Sequence, residues 1–411
     1  MTRKMKDSGI EWIGDIPENW EVTKLKRFVK IKSGDALDKK KFIDNGDIEV
    51  YGANAKLGNY DKSNIDKESI ITGRVGTIGT LDIKVNVWIT DNVLAIDVFN
   101  ANLKFIYYFL HILNFGELSS STAQPLITAT KLLNINIAMP TSINQNKISN
   151  YLDKKTKQIE DIKNKISEEI ENLENYKKSV ITESVTKGLN KNVEMKDSGI
   201  EWIGEIPKHW KVVPLKRLAI YNQGTLDEST KKDYEFEYID ISSVKYGKGI
   251  LPLETMTFEK APSRARRIVH DGDIIISTVR TYLKAIATVP SSDKQMIAST
   301  GFCVVRTNGI IEQGFLKYSV QSEHFISEIA SKSTGVSYPA INSTDLVNIK
   351  VLVPTKSERL EIIKYLDKKT KLIDDSIAIK QKQLEVLEEY KKSLIYEYVT
   401  GKKEVNDGEE T

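Results

Sequence analysis

Residues Gln145 to Val185, QNKISNYLDKKTKQIEDIKNKISEEIENLENYKKSVITESV, decide the architecture of this 411-residue chain. In them Leu152, Ile159, Ile166, Leu173 and Val180 recur at every seventh position, and Ile162, Ile170 and Tyr176 follow three of these by three or four places. A seven-residue apolar beat is the seam of a coiled-coil helix, because it keeps one stripe turned toward a neighbour. At 1.5 Å per residue, roughly forty residues make a rod of about 60 Å, too long and too charged on its other faces for an ordinary core helix. The rod needs a partner.

The chain supplies one. Tyr151 to Thr186 returns as Tyr365 to Thr400, YLDKKTKLIDDSIAIKQKQLEVLEEYKKSLIYEYVT, with 20 of 36 positions identical. The copy keeps Leu366, Ile373, Leu387 and Leu394 on the beat but sets Lys380 in an apolar slot, a polar seam position of the kind that fixes register at some expense of stability. Spacing alone does not say whether the two rods pair with each other or with other chains; the economical arrangement is an antiparallel pair within the chain.

A second duplication precedes each rod. MKDSGIEWIGDIPENWEVTKLKR (Met5 to Arg27) reappears as MKDSGIEWIGEIPKHWKVVPLKR (Met195 to Arg217), with 17 of 23 positions identical. The chain is therefore a tandem repeat of opening motif, variable block and long helix. Four tryptophans, Trp12, Trp20, Trp202 and Trp210, sit in the opening motifs, where burying large rings would pin each motif onto its own block.

The first block reads as strands at Trp20 to Ser33, Ile48 to Gly52 and Thr80 to Val98, with one helix from Leu103 to Leu113. Gly73 to Gly79, GRVGTIG, is a glycine turn carrying one cation; its spacing does not match a dinucleotide fingerprint. The second block shows strand patterns at Tyr238 to Ser242, Asp273 to Thr278, Ala285 to Val289 and Phe302 to Arg306, then a helix near Ile311 to Ala330. Each block closes alike, SSSTAQPLITATKLLNINIAMP (Ser119 to Pro140) beside STGVSYPAINSTDLVNIKVLVP (Ser333 to Pro354). The fold class is α+β: two mixed α/β globular blocks separated by two long antiparallel coiled-coil helices. The tail KKEVNDGEET is polar, and disorder is expected there.

Composition points to a charged, globular chain without apolar runs near twenty residues or a signal-like opening, so a cytoplasmic location is expected. A single cysteine, Cys303, and four scattered histidines argue against a disulfide or a metal site. Net charge is only +3, so nucleic-acid binding would require local cation clusters. No Walker A loop, zinc-protease helix or nucleophile elbow is present, and no catalytic residue is assigned. The densest cluster is Arg264, Arg266 and Arg267; Arg280 and Lys284 follow a strand, Arg74 and Lys131 stand alone in the first block, and Lys84 closes Asp82-Ile83-Lys84, which imitates the tail of a Mg²⁺ nuclease motif but lacks its Pro-Asp and is better read as a strand edge. Loops held by a sheet are where readout side chains sit, and arginine suits both phosphate and guanine edges; by loop position and charge, these eight cations are the DNA-contact candidates.

With paired DSGIEWIG(D/E)IP openings, paired P-x(10)-YLDKKTK helix starts and two dissimilar blocks, the chain resembles the specificity subunit of type I restriction-modification enzymes over nearly its whole length. The resemblance implies target recognition domains at 1–144 and 188–356, spacer helices at 145–187 and 357–400, and a tail at 401–411. It implies that each domain reads one half of a split, asymmetric double-stranded DNA site. The helices would act as a ruler and dock two methyltransferase subunits through the seam residues named above. Methylation, translocation and cleavage, with AdoMet, ATP and Mg²⁺, would belong to those partners and to restriction/translocase subunits, leaving this chain without catalysis, cofactor or metal. The rival is a coiled-coil scaffold that binds proteins and no DNA; a remoter reading is a self-sufficient nuclease, which Mg²⁺-dependent cutting by the isolated chain would support.

Overall fold

The structure is a computed structural model and describes residues 3–53, 55–75, 78–118 and 126–405. It divides into two compact units, Met1–Ile166 with Lys382–Thr411, and Ser167–Gln381. Each long helix thus begins in one unit and ends in the other, so neither block keeps a rod to itself.

Unit 1 contains β1 (Glu21–Lys24), β2 (Val29–Ser33), β3 (Ser69–Gly73), β4 (Leu81–Lys84), β5 (Val93–Val98), α1 (Leu103–His111), β6 (Asn136–Met139) and the first part of α2 (Ser142–Lys187). Four strands form an antiparallel sheet in the order β2-β5-β3-β4, and β1 pairs with β6 just before α2. The inner strands read as apolar runs because both faces are covered. The stretch Thr80 to Val98, read as strand, holds three strands, Leu81–Lys84, Trp88–Ile89 and Val93–Val98, and first breaks at Asn86, whose φ of 53° turns the chain. Beyond it Trp88–Ile89 runs parallel to Ile48–Tyr51 in a separate three-stranded sheet. Asparagine tolerates that left-handed turn, which periodicity does not register.

Unit 2 repeats the plan with β7 (Lys211–Pro214), β8 (Ala219–Tyr221), β9 (Glu235–Ile239), β10 (Ala265–Val269), β11 (Ile274–Ser277), β12 (Ile286–Thr288), β13 (Met296–Ser299), β14 (Phe302–Thr307), α3 (Gln313–Gln321), β15 (Lys350–Val353) and α4 (Lys356–Val399). Its main sheet, β8-β14-β11-β12, has the same order as that of unit 1, and β7 pairs with β15. The second sheet gains a strand, because β10 pairs with β13 where unit 1 has a single bridge, Ile65 to Val87. The helix expected over Ile311 to Ala330 is two helices. Ser322 is extended (φ −65°, ψ 147°) and its hydroxyl donates to the Ser319 carbonyl at 2.6 Å, ending α3 before Glu323–Lys332 begins.

The long helices pair antiparallel in both units. In unit 1, Lys163 meets Glu388 (2.8 Å), Lys391 meets Glu160 (2.7 Å), and the Tyr151 and Tyr398 rings lie 4.5 Å apart. In unit 2, Lys177 meets Asp374 (2.7 Å) and Lys380 meets Glu169. The polar seam position therefore finds a carboxylate on the facing helix. Leu152, Ile159, Val180, Leu366, Ile373 and Leu394 are buried, while Ile166, Leu173 and Leu387 are half-buried. Ile162 and Tyr176, expected beside the seam, are exposed. A pair of helices covers only a narrow stripe, and these two positions fall outside it.

The opening motifs also divide their tryptophans. Trp20 and Trp210 are buried, but Trp12 and Trp202 are 42% and 58% exposed, against the expectation that all four would be covered. Each buried ring packs on a glycine that ends a long helix. Gly188 (φ 76°) faces Trp210 in unit 2, and Gly401 (φ 72°) faces Pro17 and Trp20 in unit 1, in the left-handed cap that glycine adopts without penalty. Trp210 is bound to the start of α4 as well. Glu358 accepts from Trp210 Nε1 (3.2 Å), the His209 ring (2.9 Å) and Thr355 Oγ1 (2.6 Å). Part of the tail is ordered, contrary to expectation. Lys402 donates to the Asp15 carbonyl and Val405 is buried in the unit 1 core; residues 406–411 lie outside the described residues.

Candidate nucleic-acid interface

In unit 2 one end of the sheets gathers cations. The Thr300 amide donates to the Arg264 carbonyl (2.8 Å), and the Thr278 amide donates to Gly301 (2.8 Å). This turn ties the start of β10 to the end of β11 and brings Arg264 and Arg280, distant in sequence, to the same edge. Arg280 and Lys284 both adopt left-handed backbone, φ 51° and 49°, on either side of a short turn, Thr281–Leu283. Side chains other than glycine adopt that region at a penalty of roughly 1–2 kcal/mol each, so the fold holds these two cations in place against a local preference. Arg264, Arg280 and Lys284 are exposed, and none forms a salt bridge among the described residues.

Arg266 and Arg267 belong to a strand, and their side chains are half-buried. The Arg266 guanidinium sits 4.6 Å from the Phe258 ring centroid and donates to the Ala265 carbonyl, while Arg267 Nε is buried without a partner among the described residues. A register shift between Ala265 and Arg267 further separates the three arginines. Another arginine of the unit is structural. Arg306 grips the buried Asp273 carboxylate through Nε (2.6 Å) and one terminal nitrogen (2.7 Å), which raises its own pKa.

In unit 1 the corresponding position is occupied differently. Val75 bridges to Leu126 as Val279 bridges to Ala340, so Arg74 aligns with Thr278, and Gly76 with Arg280. Arg74 is half-buried and donates to Ser33 Oγ (2.9 Å); Gly76 and Thr77 of its turn lie outside the described residues. Lys84 is neutralised locally. The Asp82 carboxylate 2.8 Å away raises its pKa, and the ammonium lies 5.0 Å from the Tyr51 ring. Lys131 is exposed in the short helix Ala129–Leu133. The structure thus brings Arg264 and Arg280 to one edge, turns the Lys284 ammonium to within 5.8 Å of the Tyr246 ring, which Lys178 of α2 also approaches, and does not group the unit 1 cations with one another.

Exposed aromatic residues accompany the unit 2 cations. Tyr282 lies in the turn between Arg280 and Lys284, and the Arg280 guanidinium stands 5.1 Å from the Tyr338 ring. The sequence signal for Tyr338 was its place in the divergent part of an otherwise matched closing segment. Among the described residues there is no group of ligating side chains that could hold a metal, and no helix is long and apolar enough to cross a membrane. Cys303 is buried, and burial pushes its thiol up to about 11, too high for a ready thiolate.

Two relatives and one solved structure are similar to this chain along most of its length. The MjaVIII specificity subunit of Methanocaldococcus jannaschii is 27% identical over 293 residues, 69% of this chain and 66% of that protein. The putative MjaX specificity subunit of the same organism is 25% identical over 430 residues, 95% of each. A structure described as the basis of complex assembly and conformational transition of the type I R-M system covers 93% of this chain and 98% of its own at a TM-score of 0.65 and 14% identity, which shows a shared fold. The family described as type I restriction modification DNA specificity domain matches twice, over residues 17–172 and 207–389, one match to each repeat. The chain belongs to that family, and it is a type I restriction-modification specificity subunit with two recognition domains in tandem.

Proposed function

We propose that each unit reads one half of a split, non-palindromic site on double-stranded DNA, while α2 and α4 space the readers and dock two methyltransferase subunits. The observation that carries this reading is one sheet order built twice with unlike side chains at the same edge: Arg74-Val75 in unit 1, Thr278-Val279 followed by Arg280 in unit 2. A shared frame with divergent edges suits two readers of different sequences. In two-fold modules, half-site spacing follows protein geometry. The duplicated helices suit a partner that binds twice. Catalysis, with AdoMet, ATP and Mg²⁺, falls to the methyltransferase and restriction/translocase subunits, and this chain contributes the choice of site.

Single-molecule sequencing of methylated adenines, in a host with and without the chain and its methyltransferase partners, tests the proposal. The expected result is one bipartite motif with unlike halves that appears only with the chain. Identical halves, or no motif and no DNA binding with partners present, would return the molecule to the scaffold reading.

A further inference from the structure

Resting on that DNA reading, one loop of unit 2 stands out by what it exposes. Ser333 to Ile341, STGVSYPAI, is locked at its base. Thr334 and Ala340 exchange backbone hydrogen bonds of 2.8 and 2.9 Å, the Ile341 amide donates to Thr278 (2.9 Å), and the Thr281 hydroxyl meets Ser333 Oγ at 2.9 Å. Gly335, at φ 106°, lets the chain reverse; a Cβ there would stand 3.1 Å from the Tyr338 carbonyl oxygen. On this base Val336 is fully exposed (102%) and Tyr338 is 65% exposed.

Folding gains nothing from such a tip. Ordering backbone costs roughly 1–2 kcal/mol per residue, and an isopropyl group left in water returns no burial energy. The surroundings indicate what covers it. Arg280 stands beside the Tyr338 ring, and Arg264 opens the strand tied to the same edge, neither with a salt bridge among the described residues, so the occupant is a polyanion with an apolar feature. Double-stranded DNA presents that combination where the 5-methyl group of thymine faces the major groove between phosphates. In the aligned positions the first repeat has Thr122 and Gln124, polar residues in place of Val336 and Tyr338.

We propose that Val336 and Tyr338 form a base-reading tip that covers a thymine methyl group in the major groove of the half-site read by unit 2, with Arg280 holding the adjoining phosphate or guanine edge. The test compares the full chain with Val336→Thr/Tyr338→Gln, which installs the first repeat's residues, both co-expressed with the methyltransferase subunits. Methylated-adenine sequencing should show one or two positions of a single half-site changed or relaxed, the other half and the gap being retained. In binding assays with duplexes carrying deoxyuridine for thymine at one position at a time, the wild type should lose about four-fold at one position of that half-site, the equivalent of one buried methylene, and the variant nothing. A variant with an unchanged motif, or a wild type indifferent to every deoxyuridine, overturns the tip while leaving the DNA reading intact. A wild type that directs no motif overturns the DNA reading itself, and the tip with it. Should the double variant fail to assemble, Val336→Ala, a trimming of one exposed side chain, serves the same comparison.

Discussion

Tyr108 and Tyr318 show how single residues make the two units alike. Tyr108 donates to Asp153 (2.8 Å) and meets Thr156 Oγ1 at 3.1 Å; Tyr318 donates to Asp367 (2.6 Å) and meets Thr370 at 3.3 Å. The aspartate and threonine of both YLDKKTK segments are therefore spent on fastening a rod to its block. Glu358 does related work in unit 2. Burial opposes its ionisation, yet hydrogen bonds from Thr355, His209 and Trp210 hold it at about 2, below the usual 4.5. A depressed carboxylate stabilises fully above its unfolded pKa and loses that contribution as pH falls through the folded value, so the window lies between about 4.5 and 2. Glu358→Gln should lower unit 2 stability at neutral pH by on the order of 2 kcal/mol and flatten the acid limb of a pH-dependent urea titration in that window. Among the cations, Arg264→Ala should reduce the slope of log binding constant against log salt by about one, whereas adding Arg266→Ala and Arg267→Ala should fall short of the roughly three units that three free arginines would give. A full three-unit loss would show that the half-buried pair reaches phosphate.

At the scale of elements, helix ends matter more than helix middles. Gly401 closes α4 against Pro17 and Trp20, and an added Cβ would stand 2.5 Å from the proline ring. Gly199 has a similar positive φ, 68°, but open space around its missing side chain. Gly199→Ala should therefore cost only the left-handed penalty, about 1–2 kcal/mol, and Gly401→Ala distinctly more, read as the difference between their thermal melts. Equal losses would mean that the contact with the opening motif yields freely. The cross-helix ion pairs, such as Lys177 with Asp374, are partly exposed and contribute about 0–1 kcal/mol each, so the apolar seam sets the strength of the pairing.

In the whole molecule, the core of unit 1 includes Leu394, Ile395, Tyr398 and Val399 from the far end of α4, packed with Trp20, Tyr151 and Leu152. Removing residues 382–411 should therefore lower or abolish the unit 1 unfolding transition and spare that of unit 2, whose core draws on Val180, Ile181, Leu366 and other residues before 382. Differential scanning calorimetry of the truncated and full chains checks this. Loss of both transitions together would show that the units fold as one.

The duplication, the two rods and the α+β class were legible in the chain itself, because a seven-residue beat and a repeated opening are local patterns fixed by helix geometry and identity; that the rods pair with each other, antiparallel, was only the economical arrangement until the cross-helix contacts showed it. Placement of the side chains was less so. Periodicity could not show that Trp12 and Trp202 stay exposed while Trp20 and Trp210 are buried, that Asn86 breaks a strand, or that Arg266 and Arg267 lie in an added strand apart from Arg264. Only the tertiary structure decided that each unit takes the start of one rod and the end of the other, and that Arg280 meets Tyr338 at the edge to which the turn before β10, with Arg264, is tied. The physical reason is that elements form from neighbours in sequence, whereas exposure and juxtaposition depend on contacts between residues scores of positions apart, which no local spacing encodes.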